Sequence, residues 1–337
     1  MTFTQLLQAA LQRRAPLIAN LEAEGTDSFR LFHGAAEGRP GLSVDRYGSL
    51  RLAQVAASSP LSGPEEAALA AYLDEAGGPW VIAQREGPRL VPRAESFPGV
   101  WTSTFWCREL GLEFAIHLER AHRDPQLFLD FRAAKRALRA VLPSLGERLS
   151  VLNLFSYTCS ISCHAAAAGA GEIWSADFSG GNLAWGAKNF RRNRLEGARA
   201  EFLEEDCVGL LWALTDQRKA LSARKKLKHK IAPRTFSVVV ADPPAFSKGK
   251  FAAVDLVRDP ETVFGPAWEA VSPGGLLVAA NNSARVSRPE FEERLRKLFA
   301  RRSEGGACAG LEWLTPDADF PSFDGEPPLK VAFCRKT

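Results

Sequence analysis

No apolar run in the 337-residue chain approaches the roughly 20 residues that a bilayer-spanning helix needs, which excludes a helical membrane protein. The opening Met1-Thr2-Phe3-Thr4-Gln5 lacks the basic head and apolar core of a signal peptide. Cysteine is scarce: six residues without framework spacing exclude a disulfide-stapled fold and suit free thiols in a reducing cytoplasm. The net charge of +4 is too small to name a partner. One local absence says more. Between Asp216 and Asp242 there is no acid, while Arg218, Lys219, Arg224, Lys225, Lys226, Lys228, Lys230 and Arg234 all fall in that gap. Such a run is either a solvated helix end and loop or a patch that grips phosphates.

What is present is globular: 46% hydrophobic and 24% charged residues, enough chain for two domains. Residues 5 to 23 form an amphipathic helix pattern with Leu6, Leu7, Ala10, Leu11 and Leu17 on one side. Short strands around Leu31 and Leu42 flank a Gly/Pro turn; Pro64 to Ala76 reads as a helix and Trp80 to Gln84 as a strand. These make a small α+β unit, with a boundary expected near Phe97-Pro98-Gly99 and domains of residues 1–104 and 105–337. Cys107 to Glu119 suggests a hairpin turning at Leu110-Gly111. Beyond Phe128, apolar strands at Ser150, Glu172, Ala200, Val238 and Leu276 alternate with helices. That alternation means a parallel sheet covered on both faces, with ligands bound at the carboxyl ends of its strands.

Three consecutive strands end in an acid: Asp177, Asp206 and Asp242. A carboxylate after the second strand suits both hydroxyls of a ribose, and one after the third can accept from an adenine amino group. Each could instead cap the helix that follows. A dinucleotide site needs G-x-G-x-x-G in the first loop. Here Thr158-Cys159-Ser160-Ile161-Ser162-Cys163 has no glycine, which argues against a pyrophosphate and leaves S-adenosyl-L-methionine, which carries no phosphate. Cys159, Cys163 and His164 are too few to hold a structural metal and read as small side chains packed along a helix; no metal is expected.

In order along the chain stand "FHGAAEGRPGLSVDRYGSL", "LFLDFRAAKRAL", "VLNLFSYTCS", "SADFSGGNLAWGAKNF", "LEEDCVGLL", "VVVADPPAFSK" and "SPGGLLVAANNSARVS". Together they resemble the class I S-adenosylmethionine-dependent large-subunit ribosomal RNA methyltransferases, over roughly Leu31 to Lys336. The resemblance implies an α/β fold, a Rossmann-like class I methyltransferase sheet behind a smaller N-terminal α+β domain. It implies S-adenosyl-L-methionine as cofactor and RNA as partner; the cations Arg224, Lys225, Lys226, Lys228, Lys230 and Lys248 are then the expected grip on its phosphates. Asp177 and Phe178 would hold the ribose side, and Asp206 with the backbone near Cys207 the adenine. Asn153, Phe155, Ser156, Tyr157 and Thr158 would run towards the methionine side, with Asp130 and Arg132 closing that end. The family's first loop usually has glycine after the Tyr-Thr pair, where this chain has Cys159. A positive φ at that position would cost roughly 1 kcal/mol or more.

The Asp242-Pro243-Pro244-Ala245-Phe246 turn would meet the target base. Proline stiffens the backbone, Asp242 can accept from an amino group, and Phe246 can stack on an extruded base. Methylation of cytosine C5 needs a cysteine to attack C6. Neither this turn nor Ala280-Asn281-Asn282-Ser283 after the next strand carries a thiol. The motifs look closest to the guanine-N7 half of a bifunctional large-subunit enzyme, where Asn281 and Asn282 could bind the base edge. Cytosine-C5 methylation, and a non-catalytic RNA-binding protein with a degenerate cofactor site, stand as alternatives.

Overall fold

The computed structural model describes residues 1–87, 89–120, 125–215, 220–302 and 307–337. The chain divides into two compact units, Met1–Arg132 with Pro316–Gly325, and Ala133–Thr315 with Glu326–Thr337.

In the first unit, helix α1 (Phe3–Ala23) starts at a capping box between Thr2 and Gln5. Strands β1 (Ser28–His33), β2 (Leu42–Tyr47) and β3 (Leu50–Ala56) precede helix α2 (Gly63–Glu75). Strands β4 (Trp80–Glu86) and β5 (Arg89–Glu95) complete a sheet in the order β1-β2-β3-β4-β5. Pairing is antiparallel except between β3 and β4, which the α2 crossover makes parallel. Leu7, Ala10, Phe29, Val44, Leu69 and Ile82 share its core. Strands β6 (Thr104–Glu109) and β7 (Leu112–His117) form the hairpin expected at Leu110-Gly111, both turn residues taking positive φ, 51° and 80°.

That hairpin belongs with the first unit, so the division falls after Arg132 rather than at 104/105. The reason is hydrogen bonding. The N–H of Asp27 donates to the carbonyl of Arg108, Gly111 to that of Gly25, and Leu110 to the Thr26 hydroxyl. Residues Pro316–Gly325 rejoin this unit through Asp317 and Asp319, whose carboxylates pair with Arg132.

The second unit continues with α3 (Arg132–Val141), whose first residue closes the first unit. It then runs β8 (Ser150–Leu154), α4 (Ser160–Ala167), β9 (Glu172–Asp177), α5 (Gly180–Arg192), β10 (Arg199–Glu204), α6 (Cys207–Thr215) and α7 (Ala220–Lys226). Next come β11 (Phe236–Ala241), β12 (Phe246–Lys248), β13 (Ala253–Asp255), α8 (Glu261–Glu269), β14 (Val271–Asn281), α9 (Arg288–Arg301), β15 (Cys308–Leu314) and β16 (Lys330–Lys336). Its main sheet has the order β10-β9-β8-β11-β14-β16-β15. The strands from β10 to β14 are parallel, and β16 runs antiparallel to both its neighbours. Strand order reverses between β8 and β11, so the switch-point crevice opens beyond Leu154 and Ala241, which are register partners. This is the covered parallel sheet that the alternation implies, in the Rossmann-like class I arrangement that the resemblance implies. Among the described residues no helix is long and apolar enough to cross a membrane, and no cluster of side chains could hold a metal ion.

Candidate cofactor and substrate site

The loop leaving β8 is strained. Phe155, Tyr157 and Cys159 take φ of 55°, 49° and 61° although none is glycine. Alternation of this kind folds the chain back on itself, at roughly 1–2 kcal/mol per residue. Local bonds hold it there: Phe155 N–H donates to the Cys207 Sγ (3.2 Å), Ser156 N–H to the Ala176 carbonyl (2.9 Å) and Tyr157 N–H to the Asp177 carboxylate (3.0 Å). Thr158 is buried and its carbonyl accepts from the Asn189 amide (3.1 Å).

Cys159 therefore does occupy the left-handed conformation that glycine favours, and the structure shows what accommodates its side chain. A Cβ on Gly186 of α5 would lie 2.8 Å from the Cys159 Cβ and overlap its Sγ. The thiol fills the space that Gly186 leaves. Burial pushes its pKa up to about 12, so it is an inert packing group.

Asp177 ends β9 almost fully buried, accepting from Tyr157 and from the N–H of Ser179 (2.9 Å). Burial raises its pKa, opposed by those two donors. The next residue, Phe178, is 76% exposed. It faces a cavity of about 300 Å³ walled also by Phe155 and Pro244, with Asp206 and Cys207 on its rim. Aromatic and proline walls beside the Asp206 carboxylate, just past the end of β10, fit an adenosine group.

Asp206 takes the capping role that its sequence position allows and a second one that the sequence does not announce. Its Oδ1 accepts from Gly209 N–H (3.0 Å), capping α6, and its Oδ2 from Lys250 N–H (2.7 Å). Lys250 lies between β12 and β13, a hairpin that grows directly from the Asp242–Phe246 turn and lines the cavity. Pro243 is buried, Asp242 and Pro244 half-buried, and Phe246 59% exposed at the hairpin's base.

Several expected site residues are engaged elsewhere. Arg132, expected at the methionine end, is wholly buried: it donates to Asp317 (2.7 Å), Asp319 (2.7 Å) and the Ser28 carbonyl (3.0 Å), bonds internal to the first unit. Asp130 lies half-buried in that unit. Asn153 is turned into the interior, its amide donating to Ser162 Oγ (2.8 Å), because its place in β8 faces α4 rather than the strand ends. Asn281 is fully buried, its Oδ1 accepting from Ser283 N–H (2.9 Å), so it shapes the loop; Asn282 is the exposed member of the pair. That loop is also held by a residue not foreseen, Lys330, whose buried ammonium donates to the Ser283 carbonyl (2.8 Å).

The cation run is partly consumed. Arg218 and Lys219 lie outside the described residues. Arg224 donates to the Ala213 carbonyl (2.6 Å), Lys228 pairs with Glu204 (2.6 Å), and Arg234 forks onto Glu172 (2.8 and 2.9 Å). Lys225, Lys226 and Lys230 are exposed, with no ion-pair partner among the described residues, and Lys248 is exposed on β12.

The model of S-adenosylmethionine-dependent methyltransferases matches residues 67–335. Ribosomal RNA large subunit methyltransferase K/L of Shewanella oneidensis is 34% identical over 179 residues, 52% of this chain but only 22% of that protein's length. Ribosomal RNA large subunit methyltransferase I of Cronobacter sakazakii is 27% identical over 327 residues, 95% of this chain and 76% of that protein. Among solved structures, a methyltransferase complexed with SAH superposes with TM-score 0.77 at 20% identity, covering 99% of this chain and 80% of the other. A SAM-dependent methyltransferase from Agrobacterium tumefaciens superposes with TM-score 0.66 at 23% identity, covering 93% and 90%. Identities this low speak for the fold alone, but the family match runs through both the switch-point crevice and the strained first loop. The chain belongs to the S-adenosylmethionine-dependent methyltransferases.

Proposed function

We propose that this protein methylates a base nitrogen in RNA, most specifically N7 of a guanine in large-subunit ribosomal RNA. Asp177 and Phe178 would hold the ribose side of the cofactor, Asp206 and the backbone at Cys207 its adenine side, and Phe155 to Thr158 the remainder. The bound cofactor supplies an electrophilic methyl on a sulfonium. The chain's own contribution is to fix the base: Asp242 and the two prolines set the turn, and Phe246 and Asn282 present an exposed ring and amide to it. Positioning of this kind is worth several kcal/mol of barrier. N7 of neutral guanine has a free lone pair, so its attack requires no proton acceptor and no covalent nucleophile.

The observation that carries the nitrogen reading is the state of the thiols. Cys107, Cys159, Cys163, Cys207 and Cys334 are buried, and Cys308 is partly so. Burial raises the pKa of Cys159, Cys163, Cys207, Cys308 and Cys334 above the ordinary thiol value. A covalent cytosine mechanism needs a thiolate at the target base. Support for an RNA substrate is the naming of both relatives as ribosomal RNA methyltransferases. Six single Cys→Ala variants, assayed on unmodified large-subunit RNA, test the reading. Each is expected to keep turnover within about tenfold of wild type, roughly 1.4 kcal/mol of barrier. One folded variant without activity would replace it with the cytosine-C5 mechanism.

A further inference from the structure

The hairpin of β12 and β13 is attached to the second unit at its tip as well as at its base. At the base, Leu256 N–H donates to the Ala245 carbonyl (3.0 Å), which ties the returning strand to the Asp242–Phe246 turn. At the tip, three contacts converge on α6 and α7. Lys250 N–H donates to Asp206 Oδ2, Lys250 Nζ donates to the Lys226 carbonyl (2.8 Å), and the Phe251 ring meets Trp212 edge-on with centroids 6.2 Å apart.

Two glycines make this closure sterically possible. A Cβ on Gly249 would lie 2.6 Å from Asp206 Oδ2 and 2.5 Å from the Ala252 carbonyl oxygen. A Cβ on Gly209 would lie 2.5 Å from Cε2 and 2.9 Å from Cγ of Phe251. Neither glycine has positive φ, so close approach is the reason for each. Gly209 sits inside α6, where alanine would favour the helix by about 1 kcal/mol. The fold forgoes that gain at the position where the Phe251 ring lies on bare backbone.

The same segment lines, through Ser247, Lys248, Phe251 and Val254 and together with Phe155 and Phe178, the cavity that the proposed function assigns to the cofactor. We propose that the β12–β13 hairpin is a strap over the cofactor cavity, buckled at Asp206 and at the Gly209 notch, and that Gly209 is a positioning residue for cofactor binding although it does not itself line the cavity. Asp206 then serves the strap as well as the adenine. Because the strap springs from the turn that bears Phe246, fastening its tip also fixes that ring.

Gly209→Ala separates the strap from every other explanation. It keeps the Gly209 N–H bond to Asp206 and favours α6, so it disturbs the site only by displacing Phe251. The assay is SAH binding to the full chain by calorimetry, paired with hydrogen exchange of the peptide spanning residues 246–255. Gly209→Ala is expected to weaken SAH at least fivefold and to speed exchange in that peptide. In a Phe251→Ala background, which has no ring to displace, Gly209→Ala is expected to add nothing. Wild-type affinity and exchange in Gly209→Ala would overturn the proposal. So would an effect that persists at full size in the Phe251→Ala background, since it would then arise in α6 itself.

Discussion

The fit between Cys159 and Gly186 can be measured as a double-mutant cycle. Cys159→Gly relieves a left-handed residue, worth about 1–2 kcal/mol. Against that, it empties a fully buried site of a methylene and a sulfur, about 1.5–2 kcal/mol at roughly 0.8 per methylene-sized group. It also frees the unfolded chain, costing about 0.5–1 kcal/mol more. The net is a destabilisation of about 1 kcal/mol. Gly186→Ala gains about 1 kcal/mol of helix propensity but drives a methyl into the Cys159 side chain, at about 1–3 kcal/mol for overpacking. It too should come out about 1 kcal/mol less stable. In the double variant the clash is gone, the propensity gain remains and the alanine methyl occupies part of the vacated space. Its stability should return close to wild type, a coupling of about 2 kcal/mol. Urea unfolding of the four proteins, compared at equal denaturant slope, reads this directly. Single effects that add to within about 0.5 kcal/mol would refute the compensation and leave the strained first loop without an account.

Three further expectations follow from the described contacts. Asp177→Ala should raise the SAH dissociation constant at least a hundredfold, about 2.8 kcal/mol, and unchanged affinity by calorimetry would remove Asp177 from the site. Replacing Lys225, Lys226 and Lys230 together by alanine should lower the slope of log RNA affinity against log salt by about 2, at roughly 0.7 per phosphate contact; an unmoved slope makes them ordinary surface. In the first unit, burial and the neighbouring Arg30 lower the pKa of His33 from 6.5 to about 4. The unfolded chain therefore takes up a proton below pH 6.5 that the folded chain refuses until about pH 4. Stability should fall through that window as pH drops, and His33→Gln should flatten the fall in urea titrations.

The parallel sheet was legible because its strands are buried on both faces and read as short apolar runs, such as Val238 to Ala241. The acids at Asp177 and Asp206 were legible from their places just where β9 and β10 give way to helices. What each carboxylate bonds to was not, since the Lys250 N–H that reaches Asp206 is a backbone group and leaves no mark on the residue type. The bonds of Arg132 were not legible, because its partners, Asp317 and Asp319, stand 185 and 187 positions later, beyond any local pattern. The same pairing returns Pro316–Gly325 to the first unit, which no linker composition announces. Nor was the bond from Asn153 to Ser162 legible, since alternation cannot reveal which way a side chain points in a strand buried on both faces. Strands β15 and β16 and helix α9 were not anticipated; β16 carries Lys330 and Lys336, buried cations that break its apolar reading.

Nucleoside mass analysis reads out directly whether the protein methylates a nitrogen in RNA. Large-subunit RNA lacking the modification would be incubated with the purified protein and S-adenosylmethionine carrying a labelled methyl group, then digested to nucleosides. Label is expected in 7-methylguanosine, and its loss is expected in the Asp177→Ala variant. Label in 5-methylcytidine, or none in any nucleoside while SAH binding is intact, would rule out methylation at a base nitrogen.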